Sequence, residues 1–175
     1  MSIEATTSAA EGQAELLSEA TRATIDGWLG RFPDTPEGRR SAIIQSLVAV
    51  QHQNGGWVSA ELMDAVADYL GVPQVWVYEV ANFYSMIETE AVGRHSISIC
   101  TNISCMLCGA DRVVEHVENK LGIKMGDTTP DGRIFLKVEE ECVAACTGAP
   151  MMIVDGHYHE NLTPEKIDEI LDGLE

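Results

Sequence analysis

Basic residues are scarce in this sequence: 11 Lys and Arg stand against 28 Asp and Glu in 175 residues, for a formal net charge of −17. Binding to a phosphate backbone needs a stripe of cations that releases counterions, and no such stripe occurs, which argues against nucleic acid as a partner. An anionic membrane surface is disfavoured on the same ground. Long apolar runs are also missing. No stretch approaches the roughly 18 apolar residues that a membrane-spanning helix requires, so direct membrane insertion is not expected. The opening MSIEATTSAAEGQAE has neither a basic start nor an apolar stretch. A secretory signal is therefore not expected, and a cytoplasmic protein is. Neither GxGxxG nor GxxxxGK[ST] occurs, so no glycine-rich nucleotide cradle is evident.

What remains is an ordinary globular composition, 45% hydrophobic and 22% charged, long enough for one domain or two small ones. Residues 1–13 are small and polar and read as a flexible tail. Ile25, Trp28, Leu29 and Phe32 follow helical spacing, and Pro33 and Pro36 then break the chain. Arg40 to Gln53 reads as a second helix, stopped by Asn54-Gly55-Gly56. Ser59 caps a third that ends at Gly71, and Pro73 opens a fourth across VWVYEVANFY, a segment otherwise rich in β-formers. These four short helices predict a helical bundle over residues 14–91.

The periodicity changes after that point. Ser96 to Ile99 alternates as a strand, Leu107 to Leu121 carries an apolar helical stripe, and Arg133 to Val138 and Met151 to Val154 read as strands. Asp155-Gly156 turns a hairpin into His157-Tyr158-His159, and Thr163-Pro164 starts a last helix. The order predicts an α+β fold over residues 92–175.

The five cysteines fall inside that second region as Cys100-x4-Cys105-x2-Cys108, then Cys142-x3-Cys146. A cytoplasmic chain does not use a disulfide framework, so the clustering points to metal or redox chemistry. Both groups follow predicted strands, where a turning backbone can aim several thiolates at one place and donate N–H groups to cluster sulfurs. Gly109, Gly148, Ala144 and Ala145 leave room for such an approach. Zinc accepts thiolates too, but its structural sites favour short knuckles that would leave Cys100 unused. A dithiol site at Cys105 and Cys108 would leave three cysteines without a role. Plant-type ferredoxin spacing would recruit Cys100, Cys105, Cys108 and one of the later pair, and counting alone leaves that choice open.

The segments ICTNISCMLCGA, GIKMGDTTPDGRIFL and VEEECVAACTGAPMMIVDGHYHENLTPEKI, with HQNGGWVSAELMDAVADYLGVPQVWVYEVANFYSM upstream, resemble the thioredoxin-like [2Fe–2S] ferredoxins. More narrowly they resemble the E-type (24-kilodalton-type) subunits of NADH:quinone oxidoreductase, complex I. The resemblance implies a helical bundle at 14–91 followed by a thioredoxin-like domain at 92–175, bearing one [2Fe–2S] cluster. It implies Cys100, Cys105, Cys142 and Cys146 as ligands, and Cys108 as a non-ligand where family members often carry Arg. It further implies electron transfer with the FMN of an NADH-binding partner subunit, contact with other peripheral-arm subunits, and a place on the inner face of the cell membrane through the complex. No catalytic residue is expected on this chain alone. Similar subunits serve NAD-linked hydrogenases and formate dehydrogenases, and a zinc-stabilised interaction module is the remaining alternative.

The other candidates are weaker. None of His52, His95, His116, His157 and His159 stands at the Cys-x-His spacing of a Rieske centre. His157 and His159 share a strand face and read as a solvated edge. Glu139-Glu140-Glu141 reads as a solvated loop whose fixed charge could oppose reduction of a neighbouring cluster. Trp57, Trp76, Phe83 and Tyr84 read as bundle core or partner interface.

Overall fold

The computed structural model describes residues 14–138 and 142–175, so both the expected tail at 1–13 and Glu139–Glu141 lie outside the described residues. The chain divides into two compact units, Met1–Ala91 and Val92–Glu175. Among the described residues no helix is long and apolar enough to cross a membrane.

The first unit is helical. A short 3-10 turn at Ala14–Leu16 precedes α1 (Glu19–Leu29), α2 (Pro36–Ser41), α3 (Ile43–Gln53), α4 (Ala60–Leu70) and α5 (Gln74–Phe83). Hydroxyl caps set three of the starts. Ser18 accepts from the Thr21 N–H at 3.1 Å, Thr35 from Gly38 at 3.1 Å and Ser59 from Leu62 at 3.3 Å. Gly71, at φ 64°, ends α4 in the left-handed conformation that glycine adopts without a Cβ clash. Ile25, Ile43, Leu47, Val50, Val66 and Val77 share the buried core of this unit.

Two expectations here need correction. Pro36 does not break the chain; it begins α2, where its missing N–H would have had no helical partner. The single helix expected from Arg40 to Gln53 is divided at Ala42, whose N–H turns back to the Arg39 and Arg40 carbonyls. A Cβ at Gly38 would lie 1.9 Å from the Pro33 oxygen, so glycine there lets the start of α2 pack directly on the preceding turn. Of the aromatic residues, Trp76 packs against the core with the Arg40 guanidinium 4.8 Å from its ring centre, whereas Phe83 is 79% exposed.

The second unit runs β1 (His95–Ile99), α6 (Ile103–Leu107), α7 (Ala110–Leu121), β2 (Ile134–Leu136), β3 (Met152–Val154), β4 (His157–His159) and α8 (Pro164–Asp172). Its sheet has the order β2-β1-β3-β4. β1 pairs in parallel with β2, placing His95 beside Ile134, and antiparallel with β3, placing Ile99 beside Met152. β3 and β4 form a hairpin through Asp155 (φ 49°) and Gly156 (φ 80°). The parallel pair needs a crossover, which α6 and α7 supply. Val113 and Val117 of α7 and Ile167 and Leu171 of α8 pack with Ile97, Ile99, Ile134, Leu136, Met152 and Val154. Alternation within each strand aims those residues at one core.

The helix expected over Leu107–Leu121 is two helices. Gly109 sits at φ 93°, so the chain turns after Cys108 and α7 starts at Ala110. The break matters because it lets α6 fold back at the end of β1 and carry Cys105 inward.

Candidate metal centre

Cys100 follows the last residue of β1, and its N–H donates to the Met151 carbonyl at 3.2 Å, so the extension of the sheet fixes its position. Asn102 starts α6, accepting from the Ile103 N–H at 2.9 Å. One face of that helix carries Cys105 into a small buried cluster with Cys100, Ala110 and Met151. Cys142 and Cys146 come from the loop before β3, which ends in a 3-10 turn at Cys146–Gly148. The Tyr158 hydroxyl, on β4, donates to the Val143 carbonyl at 3.2 Å and ties this loop to the hairpin.

Cys100, Cys105, Cys142 and Cys146 line one cavity of about 320 Å³, together with Asn102, Ile103, Ser104, Val143, Ala145 and Met151. Cys108 does not line it; that residue is exposed at the C-terminal end of α6. Two of the four thiols are buried and two are exposed. Cys142 Sγ and Cys146 Sγ are 3.5 Å apart at the exposed end, Cys100 and Cys105 lie in the interior, and the Cys100 thiol neighbours both Cys105 and Cys142.

The two ends differ electrostatically. Burial, and then the neighbouring Cys100 thiol, pushes the Cys105 thiol up to about 11, against the opposing effect of the Met151 N–H. Cys142 is held below the ordinary thiol value, first by the Ala144 N–H and then by the Cys146 thiol. Ala144 stands at φ 62°, a left-handed conformation that places its N–H toward the sulfur. An alanine is disfavoured there by ~1–2 kcal/mol. Strain of this kind collects at functional sites.

The donor set fits a two-iron cluster. Such a cluster takes two thiolates at each end, whereas a single zinc ion needs its donors converging on one point. His157 and His159 lie on β4 and do not line the cavity. Burial, with help from Lys166 and His157, lowers the pKa of His159.

A model of the thioredoxin-like [2Fe–2S] ferredoxin family matches residues 26–175. The chain belongs to that family. This ferredoxin is 42% identical over 153 residues to the second of the E-type NADH-quinone oxidoreductase subunits of Rhizobium meliloti (strain 1021), covering 87% of this chain and 88% of that protein. It is 42% identical over 139 residues to the E-type NADH-quinone oxidoreductase subunit of Rickettsia bellii (strain RML369-C), covering 79% and 83%. It is also 39% identical over 150 residues to mitochondrial NADH dehydrogenase [ubiquinone] flavoprotein 2 of Dictyostelium discoideum, covering 86% of this chain and 60% of that one. The ferredoxin thus stands with the E-type subunits of NADH-quinone oxidoreductases, [2Fe–2S] electron-transfer proteins of the oxidoreductase class. Among solved structures, the air-oxidized NAD+-reducing [NiFe]-hydrogenase has a chain of similar fold, with a TM-score of 0.61 at 21% identity. That likeness covers 72% of this ferredoxin but only 22% of the hydrogenase chain.

Several features of the site had no signature in the sequence. Tyr158 and Val143 are 15 residues apart and meet only because the hairpin folds over the loop. Met151 offers its carbonyl to Cys100 and its N–H to Cys105, a backbone role that any residue type could fill. The positive φ of Ala144 falls on a residue that does not advertise it.

Proposed function

We propose that Cys100, Cys105, Cys142 and Cys146 are the ligands of one [2Fe–2S] cluster, and that this chain is the electron-transfer subunit that serves the FMN of an NADH-binding partner in NADH-quinone oxidoreductase. The observation that carries the ligand set is the single cavity shared by those four thiols as a buried pair and an exposed pair, with Cys108 outside it. In this reading residues 92–175 form the cluster domain and residues 14–91 a separate helical bundle. When bound, the cluster supplies reversible one-electron transfer. The chain's own residues do the rest. Cys100 and Cys105 anchor the inner end against the sheet, while the Ala144 N–H stabilises anionic sulfur at the outer end. Met151 and Val143 line the site with apolar surface.

The surroundings of the cavity support docking by another subunit. Ile103, Met106 and Leu107 occupy i, i+3 and i+4 on α6 and are 67%, 49% and 78% exposed. An apolar face of this sort beside a redox site suits a partner's surface better than water. Assembly with further peripheral-arm subunits would hold the protein at the inner, cytoplasmic face of the cell membrane.

Optical and EPR spectra of the anaerobically purified chain test the cluster. Cys108→Ser should retain a [2Fe–2S] signal, and Cys146→Ser should abolish or distort it. A colourless protein holding one zinc, or the reverse result in the two variants, refutes the ligand set. The large subunit that co-purifies separates NADH-quinone oxidoreductase from the equivalent role in an NAD-linked hydrogenase or formate dehydrogenase.

A further inference from the structure

The turn that follows Cys146 is covered by a carboxylate for which a glycine makes room. Gly148 closes the 3-10 turn and is buried. A Cβ built there would lie 2.5 Å from the Glu160 carboxyl carbon, 2.5 Å from its Oε2 and 2.6 Å from its Cβ. No φ in the left-handed range accounts for glycine at this position, because Gly148 is not among the positive-φ residues. Space for the Glu160 side chain does account for it.

Backbone bonds hold the two segments together. The Asn161 N–H donates to the Gly148 carbonyl at 2.6 Å, and the Leu162 N–H donates to the Pro150 carbonyl at 3.0 Å. Lys166 Nζ donates to the Glu160 backbone carbonyl, which leaves that ammonium on the main chain and not on the carboxylate. Among the described residues the Glu160 carboxylate has no ion-pair partner.

We infer that Glu160 is a potential-setting residue: its carboxylate, seated on Gly148, disfavours reduction of the cluster and lowers its midpoint potential. This rests on the ligand set proposed above. An oxidised [2Fe–2S] centre with four thiolates carries about −2 overall, and accepting one electron adds a further negative charge. A fixed anion seated on the turn that Cys146 begins therefore repels the incoming electron. Solvent reaches Glu160, so the effect is screened and modest. The role differs from that expected of Glu139–Glu141, since Glu160 is clamped to the ligand turn from a different part of the chain.

The experiment is a potentiometric titration of the full-length, cluster-bearing chain, followed by EPR of the reduced centre. Glu160→Gln keeps the shape and removes the charge. It should make reduction about threefold more favourable, an upward shift of about 28 mV for one electron, with wild-type g-values. An unchanged or lowered midpoint in Glu160→Gln, or loss of its cluster while the wild type keeps one, overturns this inference alone. A wild-type chain that binds no cluster overturns the ligand set and this inference together.

Discussion

The bond between Tyr158 and the cysteine loop gives a quantitative test of how the exposed end of the site is held. Tyr158→Phe removes one hydroxyl-to-carbonyl bond, at 3.2 Å to Val143, and nothing else. Tyr158 is 55% exposed, so the lost bond is replaced in part by water. The net loss then falls at the low end of the usual range, ~0.5–1 kcal/mol. Applied to local opening of the 142–146 loop, that is an increase of about 2- to 5-fold in the open population. The loop is already under tension, because Ala144 is held at φ 62°. Ala144→Gly relieves that conformation, offset in part by the greater chain entropy of glycine, ~0.4–1 kcal/mol. The assay is the first-order bleaching of the cluster's visible absorption in excess chelator, which reads the open population when reclosing is fast. Tyr158→Phe should bleach about 2- to 5-fold faster than wild type, and Ala144→Gly should bleach more slowly. A wild-type rate in Tyr158→Phe, or acceleration in Ala144→Gly, would refute this account of the loop.

Two further predictions concern the sheet that carries the site. A methyl at Gly93 would meet the Phe135 nitrogen at 2.7 Å and the Ile134 carbonyl carbon at 2.8 Å, both backbone atoms of β2 that cannot rotate away. Gly93→Ala should destabilise the protein by ~1–3 kcal/mol, read as a lower Tm; an unchanged Tm would show that the strand start yields freely. His95 faces oxygen from both sides, with Asp155 Oδ2 at 2.7 Å from Nδ1 and the Glu175 carbonyl at 3.0 Å from Nε2. Both nitrogens can donate only in the imidazolium, and the Asp155 bond raises the His95 pKa above its ordinary value against the opposing effect of burial. Because the folded pKa is the higher one, this stabilisation is complete below the unfolded value of about 6.5 and is lost as pH rises through the folded value. The denaturation midpoints of wild type and His95→Gln should therefore differ most near about pH 5.5 and converge in alkali; a gap independent of pH would disprove the linkage.

Much of this was legible in advance where local rules operate. Ser59 and Gly71 bracket α4, Thr163 and Pro164 start α8, and Asp155-Gly156 turns the hairpin, since each depends on a residue's own backbone preferences and its near neighbours. The helix in VWVYEVANFY goes against intrinsic β preference, and burial of Val77 and Ala81 against the bundle decides it. The divisions at Ala42 and Gly109 escape a reading of the sequence for one physical reason. Apolar periodicity runs across both, whereas a tightened turn, with the Ala42 N–H on the Arg39 and Arg40 carbonyls, and a left-handed glycine interrupt the helix itself.

The number and spacing of the cysteines pointed to metal or redox chemistry, because ligand chemistry is carried by residue type and order, and the resemblance of the flanking segments pointed to the family and its cofactor. The resemblance already set Cys108 apart, and the tertiary structure puts it outside the cavity; the structure alone decided that two of the thiols are buried and two exposed, that Ala144, Tyr158 and Met151 support the cysteine segments, and that Glu160 seats on Gly148. Those relations join residues from β1, α6, a loop and a hairpin. Their proximity follows from strand pairing and core packing, which no local stretch of sequence encodes.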